Sequence, residues 1–191
     1  MDRVAAQEVW SRAHDFAALC VLGARFLEGE LPFFPGWMAA DVDDETDALA
    51  HVLAAACRGG FLTVASQPGS LAGRTADGRA LAQRAFVTGF AREDTAARLA
   101  RLGLSTALCV ASYAATEAAG GELPVGRMAD EAYLFSGGAY GPAELELFAG
   151  QVPEAALAEL RGARYVSVID LEWGRDDVLW PALARVFGER V

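Results

Sequence analysis

Residues 60–69 read Gly60-Phe61-Leu62-Thr63-Val64-Ala65-Ser66-Gln67-Pro68-Gly69, an apolar run bounded by glycine on one side and a Ser-Gln-Pro-Gly turn on the other. A short run of this kind, rich in Phe and β-branched residues, predicts a buried strand emptying into a tight turn. Upstream, Leu49, Val52, Leu53 and Ala56 recur at helical spacing, an acidic start at Asp43 or Asp44 supplies the cap, and Gly59-Gly60 supplies the stop. Helix, glycine stop and apolar strand together set the theme that the rest of the chain repeats.

Downstream, SLAGRTADGRA reads as a solvent loop, Gln83–Phe90 as a strand, and 92–102 as a helix closed by Gly103. Ser105–Tyr113 is another apolar strand, and strand-like pieces follow at Leu123–Met128 and Ala132–Phe135. Pro142 and Pro153 suit the first turns of two short helices. Arg164–Ile169 is the last strand, Asp170–Asp177 a loop, and Trp180–Phe187 a closing helix with Pro181 in its first turn. Toward the N-terminus, Trp10, Ala13, Phe16, Ala17 and Cys20 predict one amphipathic helix over 4–20, and Phe33, Phe34 and Trp37 anchor an irregular loop over the core.

Alternation of helices and strands, with no repeat or linker, predicts one domain over 1–191: α/β (or α+β), with a central, mostly mixed sheet of five or six strands flanked by helices. The length of 191 residues suits that reading, since single domains commonly run to roughly 100–200 residues.

Composition excludes several functions. Every one of the 16 basic residues is arginine, against 26 acidic ones, giving a net charge of -10. A duplex-binding protein needs a basic footprint, so nucleic acid is not an expected partner. Without lysine there is no Schiff base, pyridoxal phosphate anchor or P-loop lysine. No GxGxxG fingerprint occurs, and no cofactor is expected. His14 and His51 are the only histidines, without the clustered ligands of a zinc site, and no metal is expected. Asp47 and His51 stand four apart, the spacing of a surface hydrogen bond on one helix face. Cys20, Cys57 and Cys109 sit singly among apolar residues and read as reduced core thiols. No signal-peptide pattern and no run of ~18 apolar residues is seen, so a cytoplasmic location away from membranes is expected. Absent lysine and asparagine, with one isoleucine, point to a GC-rich, actinobacterial type of source.

Three ordered elements, GFLTVASQPG at 60–69, QRAFVTGF at 83–90 and DLEWGRDDVLWP at 170–181, resemble a group of actinobacterial proteins classed as a domain of unknown function. The resemblance covers nearly the whole chain and implies the extent of the domain, without an activity. Cys57-Arg58-Gly59-Gly60 departs from the group's Asn-Arg-Ala-Gly, removing the polar side chain expected at position 57.

The polar loops after two apolar strands are the candidate site, because ligands in open αβ sheets gather beyond strand carboxyl ends. Ser66 and Gln67 lie in the first loop and Asp170, Glu172, Trp173 and Arg175 in the second. Arg84 offers a bidentate fork to a carboxylate, either on a ligand or internally on Glu45 or Asp170. Trp173 suits stacking on a planar ligand, with Arg175 or Glu172 orienting it; as plain structure, Trp173 and Trp180 are core wedges. Glu45, from the acidic run 41–47, becomes a general acid or base if desolvated beside Gln67. Glu45, Gln67 and Arg84 are thus the candidate catalytic residues, and Ser66, Asp170, Glu172, Trp173 and Arg175 the candidate binding ones. The expected function is binding of a small polar metabolite, with acid/base chemistry. The alternative is a non-catalytic interaction or immunity module using the acidic face and Phe33-Phe34-Trp37.

Overall fold

The computed structural model describes residues 1–37, 39, 41–115, 117, 120–139 and 142–188. Two helices open the chain, α1 (Arg3–Trp10) and α2 (Phe16–Leu27), where the periodicity predicted one. The break follows from capping: Asp2 accepts from the Ala5 N–H at 2.8 Å, and Asp15 restarts the helix by accepting from the Ala18 N–H at 2.7 Å. After the Phe33-Phe34 loop come α3 (Asp44–Asp47), capped by Asp43, and α4 (Ala50–Arg58), followed by strand β1 (Phe61–Gln67). A turn at 48–49 divides α3 from α4 between Asp47 and His51.

Next are β2 (Leu81–Gln83), β3 (Phe86–Ala91), α5 (Glu93–Ala100), α6 (Leu102–Ser105) and β4 (Leu108–Tyr113). The chain closes with β5 (Leu123–Met128), β6 (Glu131–Ser136), α7 (Pro142–Glu146), α8 (Glu154–Gly162), β7 (Arg164–Asp170) and α9 (Leu179–Phe187). Pro142 and Pro153 both stand at helix starts as expected, Pro153 as the residue preceding α8.

The fold is a mixed α/β one, yet the expected single mixed sheet is two antiparallel sheets, ordered β1-β3-β7-β4 and β2-β5-β6. The difference arises at Arg84-Ala85, inside the stretch read as one strand. Gln83 pairs with Gly126 in the smaller sheet, whereas Phe86 pairs with Gln67 and Ile169 in the larger. No turn residue marks this switch. Tertiary bonds set it: the Arg84 N–H donates to the Val125 carbonyl at 2.8 Å, and the Asp170 N–H to that of Ala85 at 2.9 Å.

Alternation along the strands divides the larger sheet into two faces. Leu62 and Phe90 meet Trp10, Phe16, Leu19 and Leu160 from α1, α2 and α8. Phe61, Val87, Val166 and Val168 meet Val52, Leu53, Leu99 and Leu183 from α4, α5 and α9. The smaller sheet covers what the first helical layer leaves open, with Val125 seated on Phe86 and Ile169. Phe33 and Phe34 are buried, as loop anchors should be, while Trp37 remains 38% exposed. The thiols are all free, Cys20 and Cys57 buried and Cys109 partly so. No described helix is long and apolar enough to cross a membrane.

Candidate functional site

β1 and β7 each pair antiparallel with β3, so they run in the same direction and end together. Gln67, Phe86 and Ile169 occupy one row across the sheet, which brings the SQPG turn beside the loop that follows Asp170. The two loops then interlock. The Gly69 N–H donates to Asp176 Oδ1 at 2.8 Å, and the same oxygen accepts from Trp180 Nε1 at 2.7 Å. The Gly174 N–H donates to the Gln83 carbonyl at 2.9 Å. Gly69 is required by close approach, since a Cβ there would run into the Arg175 carbonyl.

Several candidate residues prove to be committed inside this junction. Gln67 is buried, and its Nε2 donates to the carbonyls of Arg84 and Val125, each at 3.0 Å. One carboxamide thus ties β1 to the sheet switch and to β5. Asp170 is fully buried, and both of its oxygens accept from Arg175 Nε, at 3.0 and 2.8 Å, with Nη2 adding a bond of 2.7 Å to Oδ1. Oδ1 also accepts from the Glu172 N–H at 2.9 Å, and Glu172 Oε2 accepts from Arg175 Nη1 at 2.7 Å. Hydrogen bonding to Asp170, then the surrounding carboxylates, raises the Arg175 guanidinium above its ordinary value, with burial opposing. Asp170, Glu172 and Arg175 therefore staple the loop to itself. Trp180 is a buried wedge; Trp173 is only partly buried.

Arg84 does not pair with Glu45 or Asp170. Its Nη1 donates to the Pro124 carbonyl at 2.8 Å, its guanidinium carbon lies 4.3 Å from the centre of the Trp173 ring, and its Nε is buried without a partner. A second guanidinium, that of Arg127 on β5, lies 4.7 Å from the same ring centre. Burial, and after it the neighbouring Arg127, presses Arg84 below its ordinary value, with Asp170 pulling the other way. The sequence reading missed Arg127. Its placement depends on the pairing of Arg127 with Ala82, and β2 lies next to a stretch that reads as loop.

Glu45 is exposed and accepts from Gln83 Nε2 at 3.2 Å, so the desolvated position beside Gln67 that acid/base work needs is not realised. Ser66 faces elsewhere, into a cleft of about 130 Å³ along the open edge of β1. Phe26, Phe34, Trp37, Leu53 and Thr63 are among its other walls, and Asp43 stands at it. A register shift between Thr63 and Ala65 bends the strand there. Among the described residues, no group of three or more His, Cys, Asp or Glu side chains is placed to hold a metal ion.

These features define an αβ domain of two antiparallel sheets joined at a polar junction, with a pair of arginines on a tryptophan at its rim. The chain belongs to the family described as domain of unknown function (DUF6919), whose model matches residues 5–189. No curated protein matches it.

Proposed function

We propose that this protein binds a small polar metabolite at the junction between its two sheets, with Arg84 and Trp173 as the ligand contacts. The observation that carries this reading is the buried, unbonded Nε of Arg84 beside a partly buried indole. Leaving a buried donor unsatisfied costs about 1–3 kcal/mol, and native proteins seldom do so without a reason. Gln67, Asp170 and Arg175, by contrast, are internally satisfied and act as the frame. Binding is better supported than catalysis, because no carboxylate near the arginines is free to move a proton: Glu45 is exposed, and the buried Asp170 is held by Arg175. The GC-rich residue usage supports an actinobacterial source, and three free thiols are in keeping with a cytoplasmic setting.

The test is a thermal-shift screen of polar metabolites on the full chain and on Arg84→Gln. At least one compound should raise the melting temperature of the wild type and shift the variant clearly less. If no compound acts, or a compound acts equally on a folded Arg84→Gln, the reading is wrong.

A second reading, a non-catalytic interaction module, loses the patch first expected for it, since Phe33 and Phe34 are buried. It gains another. β6 is an edge strand on which Tyr133, Leu134 and Phe135 are all exposed. An apolar edge is a template for further strand pairing, and two copies of one strand pair antiparallel about a two-fold axis. Analytical ultracentrifugation decides it: a dimer lost in Leu134→Glu supports this reading, and a monomer at every concentration removes it.

A further inference from the structure

We infer that the group recognised at this junction is an anion, a phosphate or a carboxylate, held by Arg84 and Arg127 together. This rests on the binding reading above and adds the charge of the ligand and a second residue to it.

Among the described residues, the half-buried arginines are Arg25, Arg84, Arg127, Arg164 and Arg175. Three have carboxylate partners: Arg25 with Glu30, Arg164 with Glu93 and Glu117, and Arg175 with Asp170 and Glu172. Arg84 and Arg127 have none among the described residues, and these two are neighbours, sharing the Trp173 ring at 4.3 and 4.7 Å. In a chain with 26 acidic side chains, pairing every half-buried arginine except two adjacent ones leaves a local excess of positive charge. Each such cation is costly to desolvate without a counter-charge. The indole returns part of that cost through its ring quadrupole and still leaves the charge in place.

The chemistry of the guanidinium favours an anion over a neutral polar group. Arg84 uses Nη1 on the Pro124 carbonyl, while its Nε has no acceptor. Guanidinium forks match carboxylate and phosphate oxygens, and charge-assisted bonds of that kind are roughly twice as strong as neutral ones. The overall charge of -10 does not forbid this, because long-range repulsion is screened beyond about 8 Å at physiological salt, whereas the two arginines act in contact. With Asp170 and Glu172 both held by Arg175, the three arginines still outnumber the two carboxylates, and an anion such as inorganic phosphate or a dicarboxylate fits the excess.

The test is calorimetric titration of the full chain with inorganic phosphate and with succinate, at ionic strength matched by sodium chloride. At least one should bind saturably, with affinity at least tenfold lower in Arg127→Gln and unchanged in Arg185→Gln, whose arginine is exposed and far along the chain in α9. No saturable binding of either, or equal binding by a folded Arg127→Gln, overturns the inference. Should that variant fail to fold, phenylglyoxal labelling of Arg127 in the wild type gives the second measure: protection by the bound anion supports the site, and labelling unaffected by either anion overturns it. A neutral metabolite that binds the wild type and not Arg84→Gln, with both anions silent, would leave the binding reading standing and remove only this one. Silence from anions and metabolites alike removes both.

Discussion

The side chain of Gln67, at the end of β1, donates to the carbonyl of Val125 in the other sheet at 3.0 Å, and its second amide proton goes to Arg84. One carboxamide therefore holds two sheets and the crossing between them in register, and the junction's geometry depends on it.

Gln67→Ala should remove both donors, taking from the Arg84 carbonyl its side-chain partner and leaving the Val125 carbonyl only the Arg84 N–H, at a cost of about 2 kcal/mol of unfolding free energy. Gln67→Glu should be worse, since a carboxylate would face two carbonyl oxygens in a buried setting. Urea denaturation of the two variants checks the order: a Glu variant as stable as the wild type would contradict the clamp.

Asp170→Asn is expected to destabilise by about 3 kcal/mol, because it leaves Arg175 facing a neutral amide where three charge-assisted bonds now converge. A loss below about 0.5 kcal/mol, the scale of an exposed pair, would show that the loop is not held this way.

Acid sensitivity has a named contributor. Glu159 accepts from the Phe16 N–H at 3.0 Å and from Arg92 at 2.6 Å, and these bonds hold its carboxyl below the usual value. Its folded value lies below the unfolded one, so the stabilisation is present above the unfolded value and is lost as pH falls through the folded one. The gap in urea midpoint between wild type and Glu159→Gln should be open at neutral pH and close below about pH 4. A gap that persists in acid would contradict this origin.

Thiol chemistry should report burial. Desolvation drives the Cys20 and Cys57 thiols well above their ordinary values, with the Thr63 hydroxyl partly offsetting it at Cys57. Iodoacetamide at pH 8 should therefore leave both unlabelled in the folded protein and label them in urea. Rapid labelling of Cys57 in the native state would place it outside the core.

Much of the fold was legible where local chemistry and tertiary structure agree. The buried stripe of Leu49, at the cap of α4, and Val52, Leu53 and Ala56 within it, the glycine stop and the strand from Phe61 all stand where their spacing puts them. What misled was the absence of local punctuation. Nothing at Arg84-Ala85 signals a change of sheet, because bonds to Val125 and Asp170 from distant parts of the chain impose it. Asp15 in turn caps a second helix inside one continuous apolar periodicity. At the candidate site, the meeting of the two loops required the strands before them to run the same way, which the sequence left open and the antiparallel pairing of β1 and β7 with β3 supplies. Which polar groups are consumed internally was not readable either, since Gln67 and Arg175 look alike as free ligand contacts until their partners are in place. Arg127 lay beyond reach for the same reason: only its pairing with Ala82 carries it to Trp173.

The proposed site requires that Arg84 and Trp173 contact the ligand. A crystal structure of the full chain soaked with the strongest compound from the screen tests it directly. The ligand should lie within hydrogen-bonding distance of the Arg84 guanidinium and against the Trp173 side of the junction. Finding it instead in the cleft along β1, between Phe34 and Thr63, with the arginines untouched, would contradict the assignment.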